Sequence, residues 1–389
     1  MKKLSTITER FTESVIREMT RRCIAVNGYN LSQGIPEFEP PDEVKNAAIE
    51  AIMNNQNQYP ITFGQEQIRK EIAYKSYQYN NIVCDPNTEV TVTCGSTESM
   101  FCTLKAIVNK GDEIIIFEPF YENYGPDAML TGAKLKYVTL YPPNWEYDLS
   151  ELKKAFSNKT KAIIINTPNN PTGKVFSKKE LEEIADLCIT YDSFCITDEI
   201  YEHIIYDGKK HISMASLEGM LKRTITINSI SKTYSLTGWR VGWAIAKREI
   251  TERIRKVHDF LTVGAPTPFQ NAAVIALKMP KEYYNLVRKY YNDARNYLFN
   301  TLKEFGFNPY LPHGAYYIIA ETDELMKKYG IIDDYNFSMF LLEKTRVATV
   351  PGSSFYATSD KGKNKVRFSF CKKKSTLEDV RNCMKVLLK

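Results

Sequence analysis

Seven short runs of the chain are apolar or alternate β-branched residues with polar ones, at 89–94, 113–117, 134–140, 162–166, 194–197, 224–228 and 241–246. Runs of this kind, bounded by turn residues, predict buried strands. Apolar positions recur at helical spacing between several of them, at 97–108, 178–191 and less sharply 213–222. Strand and helix in alternation predict an α/β fold, with a mostly parallel seven-stranded sheet covered by helices on both faces.

Helical spacing also runs over 8–26, 42–53, 250–263 and 281–305. The first predicts an N-terminal arm, the second is capped by Asp42, and the last is long enough to join two lobes. Strands predicted at 315–320 and 366–370, with helices near 335–344 and 376–388, imply a smaller α+β lobe built from both termini. The organisation expected is 1–42 as arm and part of the small domain, 43–291 as the large domain, and 292–389 as the small C-terminal domain.

At 389 residues and 43% hydrophobic content the chain is long enough for two cores. The 52 basic and 46 acidic residues leave a formal charge of +6, scattered without a basic stripe, so a nucleic-acid partner is not expected. The run Lys372-Lys373-Lys374 reads as a solvated loop. Eight cysteines sit mostly in apolar runs without short paired spacing, and the four histidines include none at metal-ligand spacing to a cysteine. Reduced core thiols, no metal and a cytoplasmic location are expected. Neither a long uncharged apolar span nor a cleavable leader is visible, so no membrane partner is expected.

Candidate chemistry collects where predicted strands end. Lys232 follows the run 224–228 within Ser229-Ile-Ser-Lys232, eight residues before Arg240. A lysine kept from bulk water beside other cations retains some neutral amine, able to attack a carbonyl and form a Schiff base. An exposed lysine is the plain alternative.

Gly95-Ser96-Thr97 follows the first strand and opens a helix, which suits a phosphate or an ordinary cap. Ser229 and Arg240 would complete a dianion cradle. Tyr121 follows the second strand, as a stacking ring or as core. Asn170 lies in the tight turn Thr167-Pro-Asn-Asn-Pro-Thr-Gly173 after the fourth. Asp198 and Tyr201 end the fifth, one helical turn apart, where Asp198 reads equally as a cap. Gly34 and Tyr59 lie in turn-rich loops. A phosphate cradle, a stacking ring, an acid, oxygen-binding donors and an amine together call for a planar phosphorylated aldehyde, pyridoxal 5′-phosphate.

On the motifs Asn166-Thr-Pro-Asn-Asn-Pro-Thr-Gly173, Asp198-Glu-Ile-Tyr201, Ser229-Ile-Ser-Lys232, Gly238-Trp-Arg-Val-Gly242 and Val366-Arg-Phe368, in this order, the chain resembles the class I/II aminotransferases of the fold-type I pyridoxal-phosphate superfamily. The likeness runs nearly end to end. It implies a ping-pong transfer of an amino group from an L-amino acid to a 2-oxo acid through a Schiff base on Lys232. It further implies that Asp198 pairs with the ring nitrogen, Tyr201 and Asn170 bond the ring oxygen, and Tyr121 stacks on the ring. Gly95, Ser96, Thr97, Ser229 and Arg240 would hold the phosphate, and Arg367 the substrate carboxylate beside Gly34 and Asn170. Tyr59 would reach the phosphate of a neighbouring subunit, making a homodimer with shared active sites.

The segments 31–41 and 118–124 look most like the kynurenine, glutamine and methionine aminotransferases. A lyase on the same scaffold, cleaving cysteine conjugates or acting like an aminocyclopropane-carboxylate synthase, would keep the same residues. A DNA-binding regulator would need an added N-terminal module, for which this chain leaves no room. A dinucleotide dehydrogenase lacks its Gly-x-Gly-x-x-Gly.

Overall fold

The computed structural model describes residues 2–388. The chain opens with a 3-10 turn at Thr6–Arg10, helix α1 (Val15–Ala25) and strand β1 (Tyr29–Asn30), then helices α2 (Asp42–Met53) and α3 (Glu66–Asn80). The expected first helix is thus split, and Pro41 rather than Asp42 caps α2. Next come β2 (Val90–Thr93), α4 (Ser96–Ile107), β3 (Glu113–Glu118), α5 (Tyr124–Met129), β4 (Lys134–Tyr141), β5 (Glu146–Tyr147) and α6 (Leu149–Ala155). They lead to β6 (Thr160–Asn166), α7 (Lys178–Thr190), β7 (Phe194–Asp198), β8 (Thr224–Ser229) and β9 (Gly242–Ile245).

These strands form one sheet in the order β2-β9-β8-β7-β6-β3-β4-β5. All seven predicted strands are present, and the eighth, β5, is a two-residue antiparallel edge addition. The chain pairs parallel from β4 through β3, β6 and β7 to β8, while β9 lies antiparallel to both β8 and β2. Consequently β2, β3, β4, β6, β7 and β8 end on the same edge, and β9 begins there. Open α/β sheets bind ligands at that edge.

Side chains alternate across the sheet. Ile114, Ile116, Ile196 and Ile225 face one buried cluster, while Ile115, Ile163, Ile165 and Cys195 face another. A capping box between Ser177 and Glu180 starts α7 at the second face. The expected helix at 213–222 is only a 3-10 turn, Met214–Ser216, followed by turns, because this segment carries Gly219 and little periodic apolar content.

Beyond the sheet run α8 (Arg248–Thr262), α9 (Thr267–Leu277) and α10 (Lys281–Glu304). Residue 292 falls within α10, which carries the chain into the second lobe. There β10 (Asn308–Pro309), β11 (Tyr317–Glu321), α11 (Asp323–Tyr329), α12 (Asp334–Thr345), β12 (Val347–Ala348), β13 (Val350–Pro351), β14 (Lys365–Ser369) and α13 (Lys374–Met384) follow. Strands β10, β11, β14 and β13 form an antiparallel sheet, and β1 pairs with β12, so both termini build this lobe. The lysine run fits its reading as a solvated loop only in part, since Lys373 and Lys374 are exposed and Lys372 is not. Lys372 is buried and donates to the Ile35 carbonyl at 3.3 Å, and Lys373 pairs with Glu39 at 2.8 Å. Together they hold the 34–39 segment against this lobe.

Helix α3 is tied to the sheet by a buried polar network. Lys75 donates to Asn80 at 2.9 Å and forms an ion pair with Glu202, which also accepts from Asn80 and Asn228, both at 2.7 Å. Burial pushes the Glu202 carboxyl up, but the Lys75 ammonium and two nearby histidines outweigh it and hold it at about 2. Removing one member of a buried pair leaves the other charge uncompensated. Lys75→Met is therefore expected to lower stability by about 3–5 kcal/mol, read as a shift of the urea midpoint; a change within ~0.5 kcal/mol would show that the pair does not anchor α3.

Candidate active site

At the shared strand edge lies a cavity of about 510 Å³, reached by Lys232, Arg367, Asp198, Tyr201, Asn170 and Tyr121. Its other walls include Gly34, Ser96, Thr97 and Arg240. The turn after β8 delivers Lys232, whose Nζ donates to the Gly34 carbonyl at 3.1 Å and stands 5.8 Å from the Tyr316 ring centre. Lys232 is half-buried in the cavity wall. Withdrawal from water brings the ammonium down to about 8, and the guanidinium groups of Arg240 and Arg367 push in the same direction.

Asp198 ends β7 and accepts a hydrogen bond from the Tyr124 hydroxyl at 2.7 Å. Burial raises its carboxyl to about 6, opposed by that hydrogen bond, by the Ile200 N–H and by the Lys232 charge. Beyond Asp198 the chain enters a turn at 200–203 and opens no helix, and Asp198 Oδ1 accepts from Ile200 N at 3.3 Å. Both side chains still reach the cavity. The hydroxyls of Tyr201 and Tyr317 share a hydrogen bond of 3.0 Å.

Asn166, at the end of β6, donates to the Asp198 carbonyl at 2.9 Å and accepts from the Asn170 N–H at 2.6 Å. The Asn170 side-chain oxygen accepts from Arg367 at 2.7 Å, which leaves its NH₂ group as the free end. Arg367, on β14, also donates to the Ser32 carbonyl, and its guanidinium carbon lies 4.3 Å from the Tyr317 ring centre and 4.9 Å from that of Phe355. Only 1% of the residue is exposed, and its Nε has no partner among the described residues. Gly34 is required beside the Tyr316 and Tyr317 rings, because a Cβ there would lie 2.1 Å from the Tyr317 hydroxyl.

One end of the cavity is bounded by the start of α4, whose N-cap is Gly95. Lacking a side chain, it leaves the first-turn N–H groups of α4 uncapped. Arg240 lies directly against it, since a Cβ on Gly95 would meet the guanidinium at 2.3 Å. Arg240 Nη1 donates to the Thr237 carbonyl at 3.0 Å, and its own backbone is left-handed, at φ 55°. Ser96 and Thr97 open onto the cavity. Ser229 lies behind it, its Oγ accepting the Ser231 N–H at 3.1 Å. Ser231 lines the cavity with an unpartnered buried hydroxyl, a residue the sequence reading passed over. Tyr121 lines the wall, edge-on to Tyr124 at 5.6 Å. Tyr59 is outside the cavity and 85% exposed. Tyr124 and Tyr317 are further additions, and their distance in sequence from their partners hid them.

These observations fit pyridoxal 5′-phosphate: an orphaned hydroxyl, a guanidinium seated against Gly95, an aromatic wall and an amine share one cavity.

Comparison with known proteins points the same way. Residues 26–383 match the family model for aminotransferase class I and II. A kynurenine–oxoglutarate transaminase of Dictyostelium discoideum is 37% identical, over 95% of this chain and 93% of its own length. The solved N-succinyldiaminopimelate aminotransferase of Mycobacterium tuberculosis superposes with a TM-score of 0.95 at 34% identity, over 99% of this chain and all of that one. An Escherichia coli protein with a methionine aminotransferase function gives 0.93 at 30% identity, over 99% of both chains.

The depressed basicity of Lys232 is directly measurable. In cofactor-free protein, acetylation of its amine is expected to rise through a midpoint near pH 8, because the ammonium predominates below that value and the neutral amine above it. An ordinary lysine midpoint of about 10.4 would contradict the assigned environment.

Proposed function

The chain belongs to the class I and II aminotransferases, and on that premise we propose that it uses pyridoxal 5′-phosphate at Lys232 to move an amino group from an L-amino acid to a 2-oxo acid. The observation that carries the site assignment is the meeting of Lys232, Asp198, Arg367, Arg240 and the start of α4 at Ser96 and Thr97 in one cavity. When bound, the cofactor supplies an aldehyde for amine exchange and a protonated ring that draws electrons from the substrate Cα.

The residues divide the work accordingly. Ser96, Thr97, Ser231 and Arg240 hold the phosphate with the α4 first turn, and Ser229 sets Ser231 through its backbone N–H. Asp198 serves the ring nitrogen and is oriented by Tyr124, while the free Asn170 NH₂ and Tyr201 bond the ring oxygen. Arg367 grips the substrate carboxylate, its guanidinium kept in place by Tyr317 and Phe355. With the cofactor bound, the Lys232 amine would take a proton from Cα as base and deliver it as acid to the carbon that carried the aldehyde, a role that suits a pKa near neutrality.

The acceptor we propose is 2-oxoglutarate, after the kynurenine–oxoglutarate relative. Arg17 of α1 brings a further guanidinium to the cavity, suited to a second carboxylate. We propose a homodimer as well. Tyr59 and Ile61 on one loop, with Phe260 and Leu261 at the end of α8, present exposed apolar side chains that a second copy would cover, with Tyr59 reaching its phosphate. The division into 1–42, 43–291 and 292–389 is the proposed domain organisation. A cytoplasmic location is proposed from the eight unpaired cysteines; among the described residues no helix is long and apolar enough to cross a membrane.

Lys232→Ala is expected to lower turnover by at least about 10²–10⁴-fold, and Asp198→Asn to keep the fold while losing about 10²-fold. Steady-state assays with kynurenine, methionine and glutamate as donors check both, and near-normal turnover by Lys232→Ala would contradict the assignment. Arg17→Ala should raise KM for 2-oxoglutarate about tenfold and leave that for pyruvate within about twofold; an equal change for both acceptors would remove Arg17 from acceptor recognition.

A further inference from the structure

One buried titratable group stands behind the first turn of α4 yet has no part in the chemistry above. His258 of α8 lies with Nδ1 2.8 Å from Glu98 Oε1 and Nε2 2.7 Å from the Thr62 carbonyl. Its side chain is fully enclosed and that of Glu98 is 6% exposed. A carbonyl only accepts, so Nε2 carries a proton. Glu98 Oε1 already accepts the Thr262 hydroxyl at 2.6 Å, and its other oxygen accepts the Cys94 N–H. Burial pushes the Glu98 carboxyl up, but its bonds to His258, Thr262 and Cys94 outweigh that and hold it below its ordinary value, so Nδ1 donates to it as well and the two form an imidazolium–carboxylate pair.

The two ends of this contact matter. Glu98 stands at the third position of α4, where a capping-box glutamate reaches back to the backbone; here it reaches Cys94, immediately before Gly95. It thereby shapes the turn that faces the phosphate without spending the first-turn N–H groups. Thr62 belongs to the loop that carries Tyr59, and that loop is further held by Thr267, which donates to the Gln58 carbonyl at 2.6 Å. A bare carboxylate in the first turn of α4 would repel a phosphate dianion; one neutralised by His258 does not.

We propose that His258 is a positioning residue for the phosphate of the cofactor, locking the Cys94–Thr97 turn of the cradle to the Tyr59 loop through its bonds to Glu98 and Thr62. The inference rests on the reading of that cradle as a phosphate site. Burial disfavours the charged ring, but the Glu98 hydrogen bond and charge, the Thr62 carbonyl and Asp259 outweigh it, so the imidazole sits above its ordinary value.

The test is vitamer affinity of the full-length protein freed of cofactor, measured by absorbance titration with pyridoxal 5′-phosphate and, separately, with pyridoxal. His258→Gln is expected to raise the Kd for the phosphorylated vitamer about tenfold, with pyridoxal unchanged within about twofold. Glu98→Gln should give the same selective loss, and the double variant no more than either single one, because the two residues act as a unit. Thermal melts accompany each titration. A loss shared equally by both vitamers, additive losses, or unchanged affinity in both single variants overturns the inference alone when the wild type binds both vitamers. A wild type that takes up neither overturns the cofactor reading and this inference with it.

Discussion

Everything at this site follows from holding one amine away from water with no carboxylate bonded to it. Lys232 has a single carbonyl acceptor at 3.1 Å, while Arg240 and Arg367 add positive charge to its surroundings. The fold supplies that setting because a parallel sheet sends successive strand ends to one edge. The antiparallel β9 adds to it, since Arg240 precedes its first residue and arrives at the same edge from the opposite direction.

The groups around the amine are held by contacts that cross the two lobes. Arg367 comes from β14 of the smaller sheet, yet it bonds Asn170 in the turn after β6 and the Ser32 carbonyl in the N-terminal segment. Three remote parts of the chain thus meet at one guanidinium. Asn166 links the same turn to β7, so the positions of Asn170 and Asp198 are not independent. Behind them, Glu202 ties α3 to the Tyr201 turn and to Asn228, immediately before Ser229. The reactive groups sit on a buried polar frame whose members are mutually bonded.

Much of this was legible in the sequence, and the misses have physical causes. Strand β8 is fully buried and β-branched, so Thr224–Ser229 reads as a strand from pattern alone. The two residues of β5 carry no pattern. Helix α9 went unread because Thr267–Leu277 is apolar nearly all round and opens with a proline, so it lacks the periodic stripe that marks an exposed helix. Motif strings located Lys232, Asp198, Asn170, Arg240 and Arg367. Tyr124, Tyr317 and Ser231 depend on which side chains face one another, and a hydrogen bond between residues 74 positions apart leaves no local signal. Ser229 and Ser231 were separable only by the direction of one backbone turn.

The central claim is that the Lys232 amine is the covalent anchor for the aldehyde. Borohydride reduction of the protein loaded with pyridoxal 5′-phosphate, followed by peptide mapping, tests it without depending on any substrate. The account predicts a reduced vitamer on the peptide bearing Lys232 and on no other lysine; label confined to other lysines, or none at all, would contradict it.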